Sequence, residues 1–233
     1  MCVVNFVPLA PPSHLAGLML VNKVFLKLAE ERLYRDLDMT LLWRKQAAIE
    51  CLETLKKHKS AAEAVRHIGV SWAIPVEEVL QNLFADSLEH TTSLSTLSLS
   101  NSGFFEAHTE VNTYPPLFPK TLPPNFLPKL SAIGADTLDT LIQLVPHRPV
   151  DTVRLHEIID FDSIHRLRDV LRSSTSQIRH LQIKTTIPNK EHILPAFSRI
   201  ISEEKFQDLV ILGLEFRLPP LTTPEWGFFE VQK

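Results

Sequence analysis

Residues 150–183 read VDTVRLHEIIDFDSIHRLRDVLRSSTSQIRHLQI, and they carry the clearest structural pattern in the sequence. The spacing apolar-x-x-apolar-x-apolar stands at both ends of this stretch, as Val150/Val153/Leu155 and as Ile178/Leu181/Ile183. Between them, apolar residues recur at helical spacing, as Ile164, Leu167, Val170 and Leu171. The stretch therefore predicts a strand, an amphipathic helix and a second strand, a succession typical of α/β folds.

The strand pattern occurs five more times along the chain. These matches are Tyr34/Leu37/Met39, Val65/Ile68/Val70, Leu94/Leu97/Leu99, Leu127/Leu130/Ala132 and Phe206/Leu209/Ile211. Over all seven matches, successive starts are separated by 31, 29, 33, 23, 28 and 28 residues. A strand followed by a helix about every 28 residues is typical of leucine-rich repeats. We therefore predict a degenerate leucine-rich-repeat-like solenoid of α/β class; an open α/β sheet with ordinary crossovers is the alternative.

Amphipathic helices are predicted before and between these strands. The first follows a possible N-cap at Ser13 and carries Leu18, Val21, Phe25 and Leu28 on one face. The second runs from about Leu42 to Lys57, and the third opens at Pro75. Two further helices are predicted from apolar residues at helical spacing: Leu138, Leu141, Ile142 and Val145 in one, and Ile193, Phe197, Ile200 and Ile201 in the other.

Residues 103–128 interrupt the repeats with six prolines, so they cannot form a helix. We predict an inserted surface loop that its aromatic residues pack down against the domain. These aromatic residues are Phe104, Phe105, Tyr114, Phe118 and Phe126. A docking site for proline-reading domains is the alternative interpretation of this segment.

Composition excludes several classes of protein. The 233 residues carry a formal net charge of −3 and have a pI near 6.4, which argues against nucleic-acid binding as the main task. The chain has only Cys2 and Cys51 and no N-glycosylation sequon, which favours a cytoplasmic or nuclear protein. Residues 1–22 contain no lysine or arginine and are interrupted by prolines, so neither a signal peptide nor a membrane segment is predicted.

The N-terminal third resembles a known family. LVNKVF at residues 20–25 and LAEERLYRDLDM at residues 28–39 are similar to the fungal F-box-like leucine-rich-repeat proteins. In that family, a helix reading LVNK-x-F-x-x-LA runs into LYR-x-L-x-L, the first strand of the solenoid. IECLETL at residues 49–55 and AVRHI at 64–68 resemble the family's next segment. The likeness covers about residues 15–72 and only the second half of the F-box, because the usual opening LP-x-E-x-x-x-x-I is missing.

The resemblance implies a non-enzymatic adaptor of a Skp/cullin-type ubiquitin ligase. Leu18, Val21, Phe25 and Leu28 would then bind a Skp-type linker, or pack the first helix onto the repeats. It divides the chain into a partial F-box-like helical segment (1–40), the repeats (41–218) and a C-terminal tail (219–233). A linker-independent repeat-type binding protein and a truncated relic are the alternatives.

Alternate residues of each predicted strand should face outward on the concave side of a solenoid. Two neighbouring strands then contribute a mildly basic patch, which would bind an acidic or phosphorylated protein segment: Arg154, His156, His180, Gln182 and Lys184. The other outward positions are His67, Gly69, Thr96, Ser98, Ser100, Lys129, Ser131, Thr152, Asp208 and Val210. The alternative is a solvated face that binds no partner.

No catalytic motif accompanies these features. The chain has no G-x-S-x-G elbow and no G-x-G-x-x-G loop, which weighs against an open α/β enzyme. Its histidines lack the spacing of metal ligands, and Cys51 falls on an expected core face. We therefore predict a protein-binding scaffold that is not an enzyme and that uses no cofactor or metal.

Overall fold

The structure, a computed structural model, describes residues 23–72, 78–101, 118, 122–159, 161–186, 195, 198, 206–217 and 228–230. Its helices are α1 (Lys23–Leu33), α2 (Leu41–Lys57), α3 (Lys59–Ala64), α4 (Glu78–Glu89), α5 (Leu138–Leu144) and α6 (Phe161–Arg172). Its strands are β1 (Asp36–Thr40), β2 (His67–Trp72), β3 (Thr96–Asn101), β4 (Ala132–Ala135), β5 (Thr152–Ile159), β6 (His180–Thr186), β7 (Ile211–Arg217) and β8 (Phe228–Glu230).

The strands form one sheet in which each strand pairs with the next one along the chain, from β1 to β8. The pairs from β1 to β7 are parallel, and β8 pairs with β7 in the antiparallel direction. Connections between parallel strands are almost always right-handed. When the strands are added in one direction across the sheet, right-handed connections all lie on the same side of it. The predicted α/β class, with parallel strands alternating with helices, is confirmed.

Burial alternates along most of the strands. In β2, β3, β5, β6 and β7 two of the described positions are buried in a single core that also includes the apolar faces of α2, α4, α5 and α6, whereas β1 buries Met39 alone and β4 buries Ile133, Gly134 and Ala135. In β5 and β6, for example, these positions are Val153, Leu155, Leu181 and Ile183. The residues between them face the opposite side, which we call the open face, and are exposed or half-exposed on most strands.

Several helix predictions are confirmed. The second helix, expected from Leu42, runs from Leu41 to Lys57 and buries Ala48, Leu52 and Leu55. The helix predicted within residues 150–183 is α6, whose buried residues are Ile164, Leu167, Val170 and Leu171. Of the last predicted helix only Pro195 and Ser198 are described, and both are helical. Ser13, Pro75 and most of the 103–128 loop lie outside the described residues.

One hydrogen-bond arrangement recurs before successive strands. The carbonyl of Arg35 accepts from the backbone N–H groups of Arg66 and His67, at 2.8 and 3.0 Å, and the carbonyl of Arg66 does the same for Ser95 and Thr96. The carbonyls of Ser95, Ser131, Asp151 and Arg179 repeat the arrangement at the following strands. We call these carbonyls the anchors. Each strand is thereby aligned by the strand that precedes it.

The predicted register is wrong at two strands. The anchors place the pattern for β4 at Leu130/Ile133/Ala135 and for β7 at Leu209/Leu212/Leu214, three residues later than expected. The cause is a second apolar residue just ahead of each strand. Leu127 and Phe206 are buried in the core from the preceding turns, so two overlapping triplets satisfy the same pattern. The observed spacing between equivalent residues is therefore 31, 29, 36, 20, 28 and 31 residues.

A buried arginine holds the described end of the proline-rich segment. Arg148 is 2% exposed, and its guanidinium donates to the carbonyls of Phe126 (2.6 Å) and Pro123 (3.4 Å). It also donates to the carbonyls of Gln143 (3.3 Å), Leu144 (3.1 Å) and Pro146 (2.8 Å) at the end of α5. We call this arrangement the arginine clasp. It satisfies C-terminal helix carbonyls that otherwise lack partners.

Candidate interaction surface on the open face

The open face is ordered in rows, because the strands are paired without offset up to Leu155. The first row consists of Asp36, His67, Thr96, Ala132, Thr152, His180 and Ile211. The middle row, two residues further along each strand, consists of Asp38, Gly69, Ser98, Gly134, Arg154, Gln182 and Gly213. These two rows are the candidate site.

Several first-row side chains bind one another. His67 Nε2 lies 3.7 Å from Asp36 Oδ1 across the β1–β2 pair. Thr152 Oγ1 and His180 Nδ1 form a 3.2 Å hydrogen bond across the β5–β6 pair. At the edge of the sheet just before these strands, Arg179 lies 3.9 Å from Asp151. The first row is therefore partly engaged in contacts within the protein.

The middle row has the opposite character. Asp38, Ser98 and Arg154 are exposed and Gln182 is half-exposed, and none of the four side chains forms a hydrogen bond or ion pair with any described residue. An exposed polar group of this kind can bind a partner without first breaking an internal bond. The middle row therefore offers a carboxylate, a hydroxyl, a guanidinium and an amide to an external molecule.

Three glycines lie in the same row, Gly69 and Gly134 between these side chains and Gly213 beyond Gln182. A Cβ atom added to Gly69 would lie 3.4 Å from Asp38 Oδ1, and one added to Gly134 would lie 3.2 Å from Ser98 Oγ. At Gly213 the nearest atom would be Gln182 Cγ, again at 3.2 Å. Three polar side chains thus lean over the glycine of the following strand. Between Asp38 and Arg154 the row thus contains only small, uncharged residues: Gly69, Ser98 and Gly134.

Charge is separated along the open face. Asp36 and Asp38 lie on β1, Arg154 lies on β5, and the open-face residues described on β3 and β4 are small and uncharged. The strand spacing of about 4.8 Å puts the backbones of Asp38 and Arg154 about 19 Å apart. Because the screening length is about 8 Å at physiological salt, the two charges do not neutralise each other.

The predicted basic patch is placed only in part. Arg154 and Gln182 are direct neighbours in the middle row, and His180 lies one position earlier on the same face. The register shifts between Leu155 and Ile158, so strict alternation ends before His156, which is half-buried. Lys184 belongs to β6 and its backbone pairs with Ile158 and Glu215, but its side chain lies outside the described part.

Four outward positions are corrected by the register. Lys129 and Ser131 precede β4, and Asp208 and Val210 precede β7, so none of them lies on a strand. Their places on the open face are taken by Ala132, Gly134, Ile211 and Gly213. The physical reason is the three-residue shift described above. The remaining predicted positions, His67, Gly69, Thr96, Ser98, Ser100 and Thr152, lie on strands as expected.

Asp36 and Asp38 were missed by the sequence interpretation, which assigned no outward residues to the first strand. Their signal was present, because the pattern Tyr34/Leu37/Met39 places both aspartates at its alternate positions. The same rule that selects Arg154 in β5 selects Asp38 in β1. The acidic end of the open face was therefore readable from the sequence.

The predicted linker-binding face is described only at its C-terminal end. Leu18 and Val21 precede the described residues, and Phe25 is described only as part of the α1 backbone. Leu28 is half-buried and Ala29 is fully buried, and α1 contacts α3. On the same helix Val24 is 68% exposed. One side of α1 thus packs onto the domain, and another presents an apolar side chain to solvent.

The described residues were also searched for a metal site, a reactive cysteine and a membrane-spanning helix. Within the described ranges, no three histidine, cysteine, aspartate or glutamate side chains are grouped so that they could hold a metal ion. Cys51 is half-buried against the core, and burial raises the pKa of its thiol, which reduces the thiolate fraction at neutral pH. No helix in the described part of the chain has the length and apolar character that crossing a bilayer requires.

Comparison with known proteins adds no assignment. No family model, no curated protein and no solved structure matches the chain.

Proposed function

We propose that this chain is a non-enzymatic protein-interaction scaffold that binds a protein partner on the open face of its sheet. The observation that carries the proposal is the order of the seven parallel strands, which pair strictly in chain sequence. This order favours covering one face with connections and leaving side chains of the other available, as Asp38, Ser98 and Arg154 are.

The finer fold in this proposal is a degenerate leucine-rich-repeat-like solenoid. Three features support it: strands paired in chain order, anchors that recur before successive strands, and a spacing of 20 to 36 residues between equivalent positions. In solenoids each repeat contacts its neighbours, and the side built from the strands is a common binding surface.

The contrasting hypothesis, an open α/β enzyme, has less support. Such enzymes bind their ligands at a topological switch point, where the strand order reverses. The seven parallel strands described here advance without reversal. The absence of a glycine-rich loop and of a nucleophile elbow from the sequence points the same way.

The specific form of the proposal is a substrate-recognition adaptor of a Skp/cullin-type ubiquitin ligase, acting in the cytoplasm or nucleus. It rests on the resemblance over residues 15–72 and on the position of α1, whose exposed Val24 offers apolar surface to a linker. A linker-independent binding protein is the form that remains if α1 only packs onto the repeats.

The scaffold proposal is tested by partner capture with two matched variants. Ser98→Arg places a bulky charge in the middle row, and Glu89→Arg changes an exposed residue of α4 away from it. We expect wild type and Glu89→Arg to recover the same identified proteins from cross-linked cells, and Ser98→Arg to lose them at an unchanged melting temperature. Equal recovery by all three proteins, or no recovery by wild type, contradicts the proposal.

The adaptor form needs its own experiment. Wild type, Val21→Glu and Val24→Glu are each co-expressed with a Skp-type linker, co-purified and melted. Retention of the linker by wild type, and its loss in a variant that still folds, supports the adaptor role. If wild type retains no linker, the ubiquitin-ligase part is discarded and the scaffold proposal is judged by Ser98→Arg alone.

A further inference from the structure

The middle row carries opposite charges at two points that are separated by small, uncharged residues. Asp38 lies on β1 and Arg154 on β5, four strand steps or about 19 Å apart. Between them lie Gly69, Ser98 and Gly134. Both charged side chains are exposed, and neither pairs with a described residue.

We infer that the middle row binds an extended peptide segment that crosses the strands and carries one basic and one acidic or phosphorylated residue. The basic residue lies at Asp38 and the acidic one at Arg154. An extended chain rises about 3.3 Å per residue, so about six residue steps separate the two charges. This inference rests on the proposed function and specifies the chemistry of the partner.

Charge complementarity favours this partner over a segment of one sign. A wholly acidic segment would bring a negative charge to Asp38, and a wholly basic one would bring a positive charge to Arg154. The two sites are more than a screening length apart, so each should recognise its own partner charge independently.

The uncharged part of the row favours an extended segment over a helix. A helix satisfies its own backbone hydrogen bonds, whereas an extended segment presents free N–H and C=O groups to the surface below it. Ser98 Oγ lies between the two charges, and the Gln182 amide lies beside Arg154. Neither is engaged with another described residue, so both can bind a peptide backbone.

The first row gives an internal contrast. In the first row, Asp36 lies 3.7 Å from His67, and His180 is bonded to Thr152. A ligand at the first row would have to displace these contacts. The middle row is therefore the better track for the segment.

The test uses four pools of nine-residue peptides that have fixed residues at positions 2 and 8 and random residues between them. One pool is dipolar, with Lys and Glu in either order; the others have two Lys, two Glu or two Gln. Immobilised full-length protein is exposed to all four, and the retained peptides are quantified by mass spectrometry. We expect the wild type to retain the dipolar pool about twofold or more over each of the others. It gains two exposed ion pairs over the Gln/Gln pool, and it replaces a like-charge contact by an ion pair relative to the Lys/Lys and Glu/Glu pools.

Single charge reversals should change the preferred pool. Arg154→Glu gives the row two acidic ends and should favour the Lys/Lys pool, while Asp38→Lys should favour the Glu/Glu pool. Matched reversals away from the open face, Arg32→Glu on α1 and Glu89→Lys on α4, should leave the dipolar preference unchanged. All preferences should disappear in 1 M salt, where the screening length is about 3 Å.

Two results overturn the inference. In the first, peptides bind, but the preferred pool is unchanged by Arg154→Glu and Asp38→Lys; the open face then binds by other chemistry. In the second, correctly folded wild type retains no pool above the amount held by the same resin without protein. In both cases the scaffold proposal is judged separately by partner capture with Ser98→Arg, so the two failures are distinguishable.

Discussion

The connection from β5 to β6 and the described part of the connection from β3 to β4 are held in opposite ways. The first contains α6, which buries Ile164, Leu167, Val170 and Leu171. The second is held by the stacked rings of Phe84 and Phe118, the edge contact of Phe118 with Phe126, and the arginine clasp. Regular apolar spacing holds one connection, and a cation supplied from another part of the chain holds the other.

An irregular segment can thus be ordered without periodic apolar residues. Prolines remove backbone donors, and an irregular segment leaves its carbonyls without secondary-structure partners. Arg148 supplies donors from one rigid fork, and its carbon Cζ lies 5.7 Å from the centre of the Phe126 ring. A single side chain thereby substitutes for a helix or a strand ladder.

Among the substitutions in these two connections, Arg148→Met should have the largest effect on stability. The change leaves the buried carbonyls of Phe126 and Leu144 and the part-buried carbonyl of Pro146 short of donors. At about 1 to 3 kcal/mol for each unsatisfied buried group, we expect a loss of about 3 to 5 kcal/mol of unfolding free energy. Chemical denaturation measures it. Burial lowers the pKa of this guanidinium, but the group stays charged at neutral pH. Arg148→Lys keeps a positive charge but lacks the planar fork of donors, so it should recover only part of the loss. A loss under about 1 kcal/mol would mean that the aromatic contacts suffice.

Leu171→Ala tests the other half of the comparison. Leu171 is fully buried beneath the sheet, and its truncation leaves a cavity in the core. We expect a loss of about 2 to 5 kcal/mol in the same denaturation experiment. The exposed neighbour Asp169→Ala is the control and should change stability by about 0.5 kcal/mol or less. Equal effects of the two changes would show that α6 is not held by its apolar face.

Ser174→Ala tests the junction of the two regions. Ser174 Oγ is buried, lies 2.6 Å from the carbonyl of Val150 and 3.1 Å from that of Arg148, and accepts from the N–H of Ser176 at 3.2 Å. Its removal should lower the unfolding free energy by about 1 to 2 kcal/mol. Amide exchange at Ser176 should accelerate; unchanged exchange there would count against this role of the hydroxyl.

Arg166→Met gives the smallest expected effect and is the matched control for the clasp. Arg166 of α6 lies 2.8 Å from Asp139 of α5, but both side chains are largely exposed. Exposed pairs contribute about 0 to 1 kcal/mol, and screening by salt reduces this further. Denaturation in low and high salt measures the difference. If Arg166→Met destabilised as much as Arg148→Met, burial would not be what distinguishes the two arginines.

Much of the fold could be predicted from the sequence because apolar spacing was its signal. Burial of Leu52 in α2, of Leu167 in α6 and of Val153 in β5 followed directly from that spacing. The register of β4 and β7 could not be chosen correctly, because Leu127 and Phe206 are apolar residues of turns that mimic residues of strands. Leu127 even adopts a positive φ of 50°, which no spacing rule anticipates for leucine.

The candidate site was predictable at one end and not in its detail. Arg154, His180 and Gln182 were identified because β5 and β6 have the clearest pattern. The distinction between an engaged first row and a free middle row depends on contacts between strands, such as Thr152 with His180, that a single sequence does not contain. The arginine clasp was invisible for the same reason, since its partners are backbone atoms.

The anchors have a consequence for the evolution of the chain. Their spacing varies from 20 to 36 residues, yet Asp38, Ser98 and Arg154 remain in the same row. The length of a connection is thus uncoupled from the position of the strand that follows it, and lengthening a loop costs only a slowly growing closure entropy. Insertions and deletions can accumulate on the covered side of the sheet without displacing any residue of the middle row.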